Sequence, residues 1–381
     1  MDKVRVGVVG LGHRGRIMFK LAADGFDFVV PAAACDILPR NWYEPQWLMP
    51  DALCNIFPDT EFYEDYDEML DKANLDVVFV ETGCDIHAEF CAKALKKNIN
   101  VLTDIPVVAS LEEAEMLWNL AKESPAMIST GANPNYQRFA EFLKNFKNDG
   151  SLGNPYCMEA EYIHWSLPTK AEDDHLNENG DWRRRVHSIR YCTHSLGPLL
   201  AILDEDLRYV SCFGTGPHAD ASEYVNTEKK DDMSCAQFMT ESGVVVRLQR
   251  NGRCRARIGH HNYRVFGTEG YVERIDRSAK PVIRYNTFVP KDSGLQEIEG
   301  RFMPIAYEDN PKATGHDGMD YAMLDVFFDA LRNGKEAPIP LKAGLAMTLP
   351  GIYAEESAKR GGKLIRMVYP WDEDWTTEIK D

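Results

Sequence analysis

Several features common in chains of this size are missing from the 381-residue sequence. No apolar run approaches the roughly 20 residues a membrane-spanning helix requires. Met1-Asp2-Lys3 leads straight into Val4-Arg5-Val6, with neither the apolar core nor the small-residue cleavage site of a secretory signal, so export is not expected. The nine cysteines stand singly and form no Cys-x-x-Cys, which argues against a zinc site or a disulfide frame and reads as reduced, cytoplasmic thiols filling cores. Basic charge is short: 43 Lys and Arg face 60 Asp and Glu, a formal net charge of −17. Such a surface argues against nucleic acid or an anionic membrane as partner. Repeats and low-complexity segments are absent. What remains is 44 % hydrophobic and 27 % charged, a globular composition, at a length that implies two domains.

Val4-Arg5-Val6-Gly7-Val8-Val9 is a β-branched run of the buried-strand type, and it ends in Gly10-Leu11-Gly12-His13-Arg14-Gly15 ahead of a helical stretch, Arg16 to Ala23. Strand, glycine-rich turn and helix form the G-x-G-x-x-G fingerprint of a dinucleotide site. Gly10 permits the tight turn, Gly12 lets backbone approach a pyrophosphate, and Gly15 lets the helix pack on the strand. The helix N-terminus offers N–H groups to the phosphates. A second strand, Phe28 to Ala34, ends in Cys35-Asp36, where an acid binds a ribose 2′-hydroxyl and repels a 2′-phosphate. NAD is the expected cofactor; Arg40 leaves NADP open.

Strands at Asp76–Val80, Asn100–Leu102 and Met127–Ile128 alternate with helical stretches at Asp65–Ala73, Ile86–Lys96 and Leu111–Ala121. That alternation predicts a doubly wound parallel sheet over residues 1–130, with ligands at the carboxyl ends of its strands. Thr82 and His87, Asp104 and Ile105, and Asn133 and Tyr136 fall at those ends. Residues 131–381 are expected to form a second α/β domain. A strand entering at Tyr156 is followed by further strands at 209–213, 234–239, 244–249, 263–266 and 281–285, with turns at Glu241-Ser242-Gly243 and Gly267-Thr268-Glu269-Gly270. Such a series predicts an open, mostly antiparallel sheet. Helices are expected at His194–Leu203, at Asp320–Leu331 with Leu324, Phe327, Phe328 and Leu331 on one face, and at Leu341–Lys359, the last returning toward the first domain.

At these residues the chain resembles the glucose–fructose oxidoreductase/inositol dehydrogenase (Gfo/Idh/MocA) family. The resemblance rests on Val8 to Gly15, on Thr82 with His87 opening a helix, and on Ala94 to Leu102. It implies a Rossmann domain followed by a domain on an open sheet, and hydride transfer between NAD(P) and a sugar ring hydroxyl. The family usually carries Glu-Lys-Pro where this chain has Asp104-Ile105-Pro106, and Ile105 cannot move a proton. Asp181-Trp182-Arg183 and Tyr191-Cys192-Thr193-His194-Ser195-Leu196-Gly197-Pro198 look like the NAD-dependent glycosidase branch, of the α-N-acetylgalactosaminidase type. Gly315 to Tyr321 is similar to its His-Gly-Gly-Met-Asp segment. The resemblance implies His194 as catalytic acid/base with Tyr191 close to substrate; Trp182, Arg183, Tyr136 and His316 stand beside them as candidate substrate-binding residues.

Other readings stay beside these. His194 at a helix start also fits a cap or a core filler, and Tyr191 a core phenol. His316 and Asp320, four apart, share a helical face and fit a metal; a solvated N-terminal turn with an acid at the helix dipole fits better, so no metal is expected. His260 and His261 face opposite sides of a strand and make a poor joint metal site. Arg183, Arg184 and Arg185 suit a carboxylate, a phosphate or a salt-bridged surface. Arg247, Arg250, Arg253, Arg255 and Arg257 read as a subunit interface, so a homo-oligomer through the second sheet is expected. Three functions follow: an NAD-dependent sugar oxidoreductase, a redox-neutral NAD-dependent glycosidase, and a non-catalytic NAD sensor.

Overall fold

A computed structural model describes residues 2–46, 49–163, 187–216, 218, 231–251, 261–275, 282–287, 294, 296–299 and 309–380. Contacts divide the chain into two compact units: Met1–Asn133 with Tyr307–Leu345, and Pro134–Ala306 with Ala346–Asp381. Residues 307–345 thus group with the first unit, whereas the sequence alone assigns everything after residue 130 to the second domain.

The first unit is built on six parallel strands, β1 (Val4–Val9), β2 (Val29–Cys35), β3 (Glu61–Tyr63), β4 (Val77–Val80), β5 (Asn100–Thr103) and β6 (Ile128–Thr130), in the order β3-β2-β1-β4-β5-β6. Chain direction across the sheet reverses between β1 and β4, the switch point at which such sheets open a crevice. Val77 to Val80 are all fully buried, as a central strand covered on both faces demands. Helix α1 (His13–Gly25) follows β1 directly. Helix α6 (Leu111–Glu123) starts with a capping box: Ser110 accepts from the Glu113 N–H, and the Glu113 carboxylate accepts from the Ala109 N–H at 2.6 Å. The later segment contributes α9 (Met319–Asn333), whose Leu324, Phe327 and Phe328 are buried; Phe327 and Phe328 lie edge-on or tilted to Phe79 of β4. Leu331 is only half-buried.

The second unit carries nine strands: β7 (Pro155–Tyr162), β8 (Leu207–Gly214), β9 (Met233–Thr240), β10 (Val245–Asn251), β11 (Asn262–Gly267), β12 (Gly270–Ile275), β13 (Val282–Thr287), β14 (Gln296–Glu299) and β15 (Ile365–Arg366). Their order is β14-β13-β12-β11-β7-β10-β9-β8-β15. Neighbours are antiparallel except β7 and β10, which pair in parallel at the centre. The expected hairpin turns join β9 to β10 and β11 to β12; at Gly243 φ is +95°, a conformation glycine adopts without strain. Helices α7 (Arg138–Asn148) and α8 (Thr193–Leu200) belong to this unit, with Phe139 of α7 stacked on Tyr263 of β11 at 5.0 Å between ring centres. Helix α10 (Leu341–Lys359) spans the division, its first residues counting with the first unit.

The eight described cysteines are free, and burial pushes the Cys35, Cys91, Cys192 and Cys212 thiols up to about 12. They are core fillers, since a nucleophilic thiol needs the opposite shift. No helix among the described residues is long and apolar enough to cross a membrane.

Candidate functional site

The glycine-rich turn is shaped by three different constraints. Gly10 has φ +89°, and a Cβ there would lie 2.7 Å from the Glu81 carbonyl. At Gly15 a Cβ would lie 1.9 Å from the Gly10 carbonyl, so helix and strand approach closer than any side chain allows. Gly12 differs: a Cβ would meet nothing within 4 Å, so the space before α1 is open. Gly12 is also the N-cap of α1 and makes no side-chain cap, which leaves first-turn N–H groups directed at that space. The turn fits a pyrophosphate.

Asp36, immediately after β2, accepts from the Leu11 N–H at 2.6 Å and the Leu38 N–H at 2.8 Å. The carboxylate therefore fixes the glycine-rich turn as well as standing where a ribose would. Arg16, at the end of the first turn of α1, is a buried second brace. Its guanidinium donates to the carbonyls of Leu11 and Asn41. His87 opens α5 (His87–Lys96) with its ring 1 % exposed and both nitrogens 2.9 Å from backbone carbonyls, those of Pro106 and Thr82. It ties the loops after β4 and β5 together rather than facing a ligand.

Around these loops lies a charge cluster drawn from distant parts of the first unit. Arg14 of the glycine-rich turn grips Asp320 of α9 with two hydrogen bonds, 2.7 and 2.9 Å, and lies 3.9 Å from Asp104. Asp320 has a fully buried side chain and also takes Asn133 Nδ2 at 2.8 Å and His316 Nδ1 at 2.8 Å. Burial opposes the charge on Asp320, yet Arg14 and then His316 hold its carboxyl well below the usual carboxylate range. Burial likewise opposes the Arg14 charge, and Asp320 followed by Asp104 more than offsets it. Glu81, first residue after β4, goes the other way: burial and then Asp104 push its carboxyl well above the usual range, against the pull of Arg14. One Glu81 oxygen, Oε2, is buried without a hydrogen-bond partner. Ile105, beside Asp104, is buried and apolar. His316 and Asp320 are thus an ion-pair network with Arg14, and no cluster of three metal-ligating side chains occurs among the described residues.

In the second unit the Tyr191 hydroxyl lies 3.0 Å from His194 Nε2. Pro198, inside α8, explains how His194 is held. A helix would satisfy the His194 carbonyl with the N–H of residue 198, which proline lacks. The Tyr263 hydroxyl donates to that carbonyl instead, at 2.9 Å, from a side chain 1 % exposed. Tyr162 and His261 stack at 4.5 Å and both present ring edges or faces to His194, at 6.0 and 5.8 Å. Arg250 lies over Tyr162 at 4.3 Å and over Tyr191 at 5.6 Å. It therefore belongs to the aromatic cluster, while Arg247 pairs with Glu159 and Glu161. Tyr136 is half-buried, and burial raises its phenol. Trp182, Arg183, Arg184, Arg185, Arg253, Arg255, Arg257 and His260 lie outside the described residues. Tyr162, Tyr263 and Glu81 were given no role in the sequence, and His261 was weighed only as half of a metal pair with His260; only Pro198, inside α8, hinted that a donor from elsewhere was needed.

Residues 4–132 match the family model described as oxidoreductase family, NAD-binding Rossmann fold, of the Gfo/Idh/MocA group. That span is similar to the NAD-binding Rossmann domain the family model describes. An α-N-acetylgalactosaminidase of Shewanella oneidensis is 23 % identical over 94 % of this chain and 83 % of its own. A glycosyl hydrolase family 109 protein of Bacteroides fragilis is 26 % identical over 88 % of this chain and 78 % of its own. Among solved structures, a levoglucosan dehydrogenase in complex with NADH and L-sorbose aligns over 97 % of this chain and 100 % of its own, with a TM-score of 0.79 at 15 % identity. A myo-inositol 2-dehydrogenase of Lactobacillus plantarum aligns over 96 % and 100 %, with a TM-score of 0.71 at 18 % identity. These structures share the fold of the whole chain.

Proposed function

We propose that the protein is an NAD-dependent oxidoreductase acting on a ring hydroxyl of a sugar or glycoside, with His194 as acid/base and Tyr191 as its partner. The observation that carries this reading is the Tyr191–His194 pair, 3.0 Å apart and fixed by Tyr263, in a chain whose other unit is an NAD-binding domain. Bound NAD supplies a hydride acceptor and donor. The chain's residues do the rest. Gly12 and the first turn of α1 receive the pyrophosphate, and Asp36 receives a ribose hydroxyl. The His194 imidazole accepts a hydroxyl proton and returns it. Tyr191 orients the ring through Nε2 and offers its hydroxyl to the sugar. Ile105 leaves that proton traffic to the pair.

A second reading is favoured by the relatives named as family 109 hydrolases and an α-N-acetylgalactosaminidase, which align along most of both chains. The same site then performs net hydrolysis. Oxidation of one ring carbon acidifies the neighbouring C–H, the aglycone leaves by elimination, water adds, and the keto group is reduced again. We also propose a cytoplasmic location, supported by the described cysteines all standing outside disulfides, and a homo-oligomer formed through the second sheet, supported by the exposed Cys235, Gln237 and Met239 on one face of β9.

The test begins with protein purified without added nucleotide and then denatured. Near-stoichiometric NAD(H) directs assays to aryl glycosides with no NAD added; empty protein directs them to NADH absorbance across a sugar panel. In either assay, His194→Ala abolishes turnover and leaves NAD affinity within about twofold. Unchanged turnover removes His194 from the mechanism, and failure to bind any dinucleotide removes the enzyme reading altogether.

A further inference from the structure

Glu81 has no place in the mechanism above, and its surroundings are unusual for an acid. It is the first residue past β4, and its N–H still pairs with the Val9 carbonyl at 2.9 Å, so it sits at the β1–β4 switch point itself. A Cβ on Gly15 would stand 3.1 Å from the Glu81 Cβ, which places the acid against the glycine-rich turn. The residue is 8 % exposed and its Oε2 has no partner. Such a group in a ligand crevice is an unmet demand for charge or for a hydrogen bond.

The protein supplies little to meet it. The charged groups that bear on Glu81 are Arg14 from the turn before α1, Asp104 after β5 and Asp320 of α9. Among them Arg14 is the one cation, and its fork is occupied by Asp320. His316, 59 % exposed, also leans on Asp320. Next to Asp104 the side chain is that of Ile105. Among the described residues three carboxyl groups therefore share one guanidinium, which leaves room for a positive charge brought by the ligand.

The sheet decides which part of the ligand that is. A dinucleotide lies across the switch point with one nucleoside on each side. Asp36, at the end of β2, takes the ribose of the adenosine half. The nicotinamide half then falls on the β4–β5 side, where Glu81 and Asp104 stand. The nicotinamide ring is cationic when oxidised and neutral when reduced.

Resting on the NAD reading given above, we propose that Glu81 is the counter-charge to the oxidised nicotinamide: it gives up its proton to solvent when NAD⁺ binds and keeps it when NADH binds. Burial and then Asp104 push the Glu81 carboxyl well above the usual range, and a cation brought close favours its ionised form. The site thereby distinguishes the two redox states by charge, with no need for a different fit.

The experiment is calorimetric titration of the full-length protein, freed of nucleotide, with NAD⁺ and with NADH at pH 7 in two buffers of different ionisation enthalpy. NAD⁺ is expected to release about one proton per site more than NADH does. In Glu81→Gln that difference disappears, and NAD⁺ affinity falls about tenfold relative to NADH, equivalent to about 30 mV in the potential of the bound couple. In Asp104→Asn, which removes a charge that holds Glu81 protonated, the pH midpoint of the release moves down. Equal proton release for the two dinucleotides, or a difference that survives in Glu81→Gln, overturns the proposal while leaving the NAD site standing. Should Glu81→Gln not fold, the wild-type comparison and Asp104→Asn decide it. If neither dinucleotide binds the wild type, the reading of the first unit as an NAD site fails instead.

Discussion

Replacing Tyr263 by Phe removes one oxygen atom from the interior of the second unit, and the structure says what that atom does. Pro198 deprives the His194 carbonyl of its helical donor, and the Tyr263 hydroxyl fills the vacancy at 2.9 Å. The ring itself, stacked on Phe139, is kept in Tyr263→Phe, so no cavity of consequence opens. The loss is a hydrogen bond to a partly buried carbonyl left without a donor, roughly 1–2 kcal/mol. The reasoning has a sharper corollary. Pro198→Ala restores an N–H at the position from which a helix would serve that carbonyl. In the Pro198→Ala background, Tyr263→Phe should therefore cost about 1 kcal/mol less than in the wild type. Urea unfolding of the four proteins of this double-mutant cycle measures the coupling. The same set assayed for turnover should show Tyr263→Phe lowering kcat, with NAD affinity unchanged. Equal destabilisation in both backgrounds would refute the argument that Tyr263 substitutes for the missing proline N–H.

Two glycines three residues apart should respond oppositely to alanine. Gly15→Ala forces a Cβ to 1.9 Å from the Gly10 carbonyl and should destabilise the first unit by 2 kcal/mol or more, on the order of an overpacked core, as read by thermal unfolding. Gly12→Ala meets nothing and should leave the melting temperature unchanged while lowering dinucleotide affinity about tenfold or more, because the methyl group occupies the phosphate approach. Asp320→Asn leaves the Arg14 charge without its main partner and should cost about 3 kcal/mol at neutral pH. Because the folded carboxyl of Asp320 titrates below its unfolded value of about 3.9, its contribution is full above roughly pH 5 and is lost as pH falls. The stability gap between wild type and Asp320→Asn should accordingly be flat from pH 5 to 8 and narrow below about pH 4 in urea titrations.

Much of the first unit was legible because its signals are local. A β-branched run, a glycine-rich turn and an acid at the end of the next strand are each read within a few residues, and the helices after them follow apolar spacing and capping residues such as Ser110 with Glu113. Six of the nine strands of the second unit were legible for the same reason, from period and turns, whereas β12, β14 and β15 were not read. The parallel pairing of β7 with β10 was not, because register between strands far apart in sequence leaves no mark in either one. The site fared likewise. Tyr191 and His194 are three residues apart and could be named as a pair from the sequence; Tyr263 could not, because its contact depends on a proline elsewhere in the chain. Arg14 and Asp320 lie 306 positions apart, and each alone reads as surface charge or as an acid at a helix start. His87 stood at the right place but for a different task, since the sequence could not show that both its nitrogens are occupied by backbone.

The grouping of Tyr307–Leu345 with Met1–Asn133 has a consequence for how the chain is made. Synthesis delivers the six strands of the first sheet early, but the helix that covers Phe79 and the carboxylate that neutralises Arg14 arrive only after all of Pro134–Ala306 has been translated. Until then the nucleotide domain has an uncovered apolar face and an unpaired guanidinium, and it should remain open to chaperones while the second unit folds. A fragment cut after Asn133 would be halted permanently in that state. The segments that group as the first unit are Met1–Asn133 and Tyr307–Leu345 together, so a fragment that keeps both is the one expected to hold its fold.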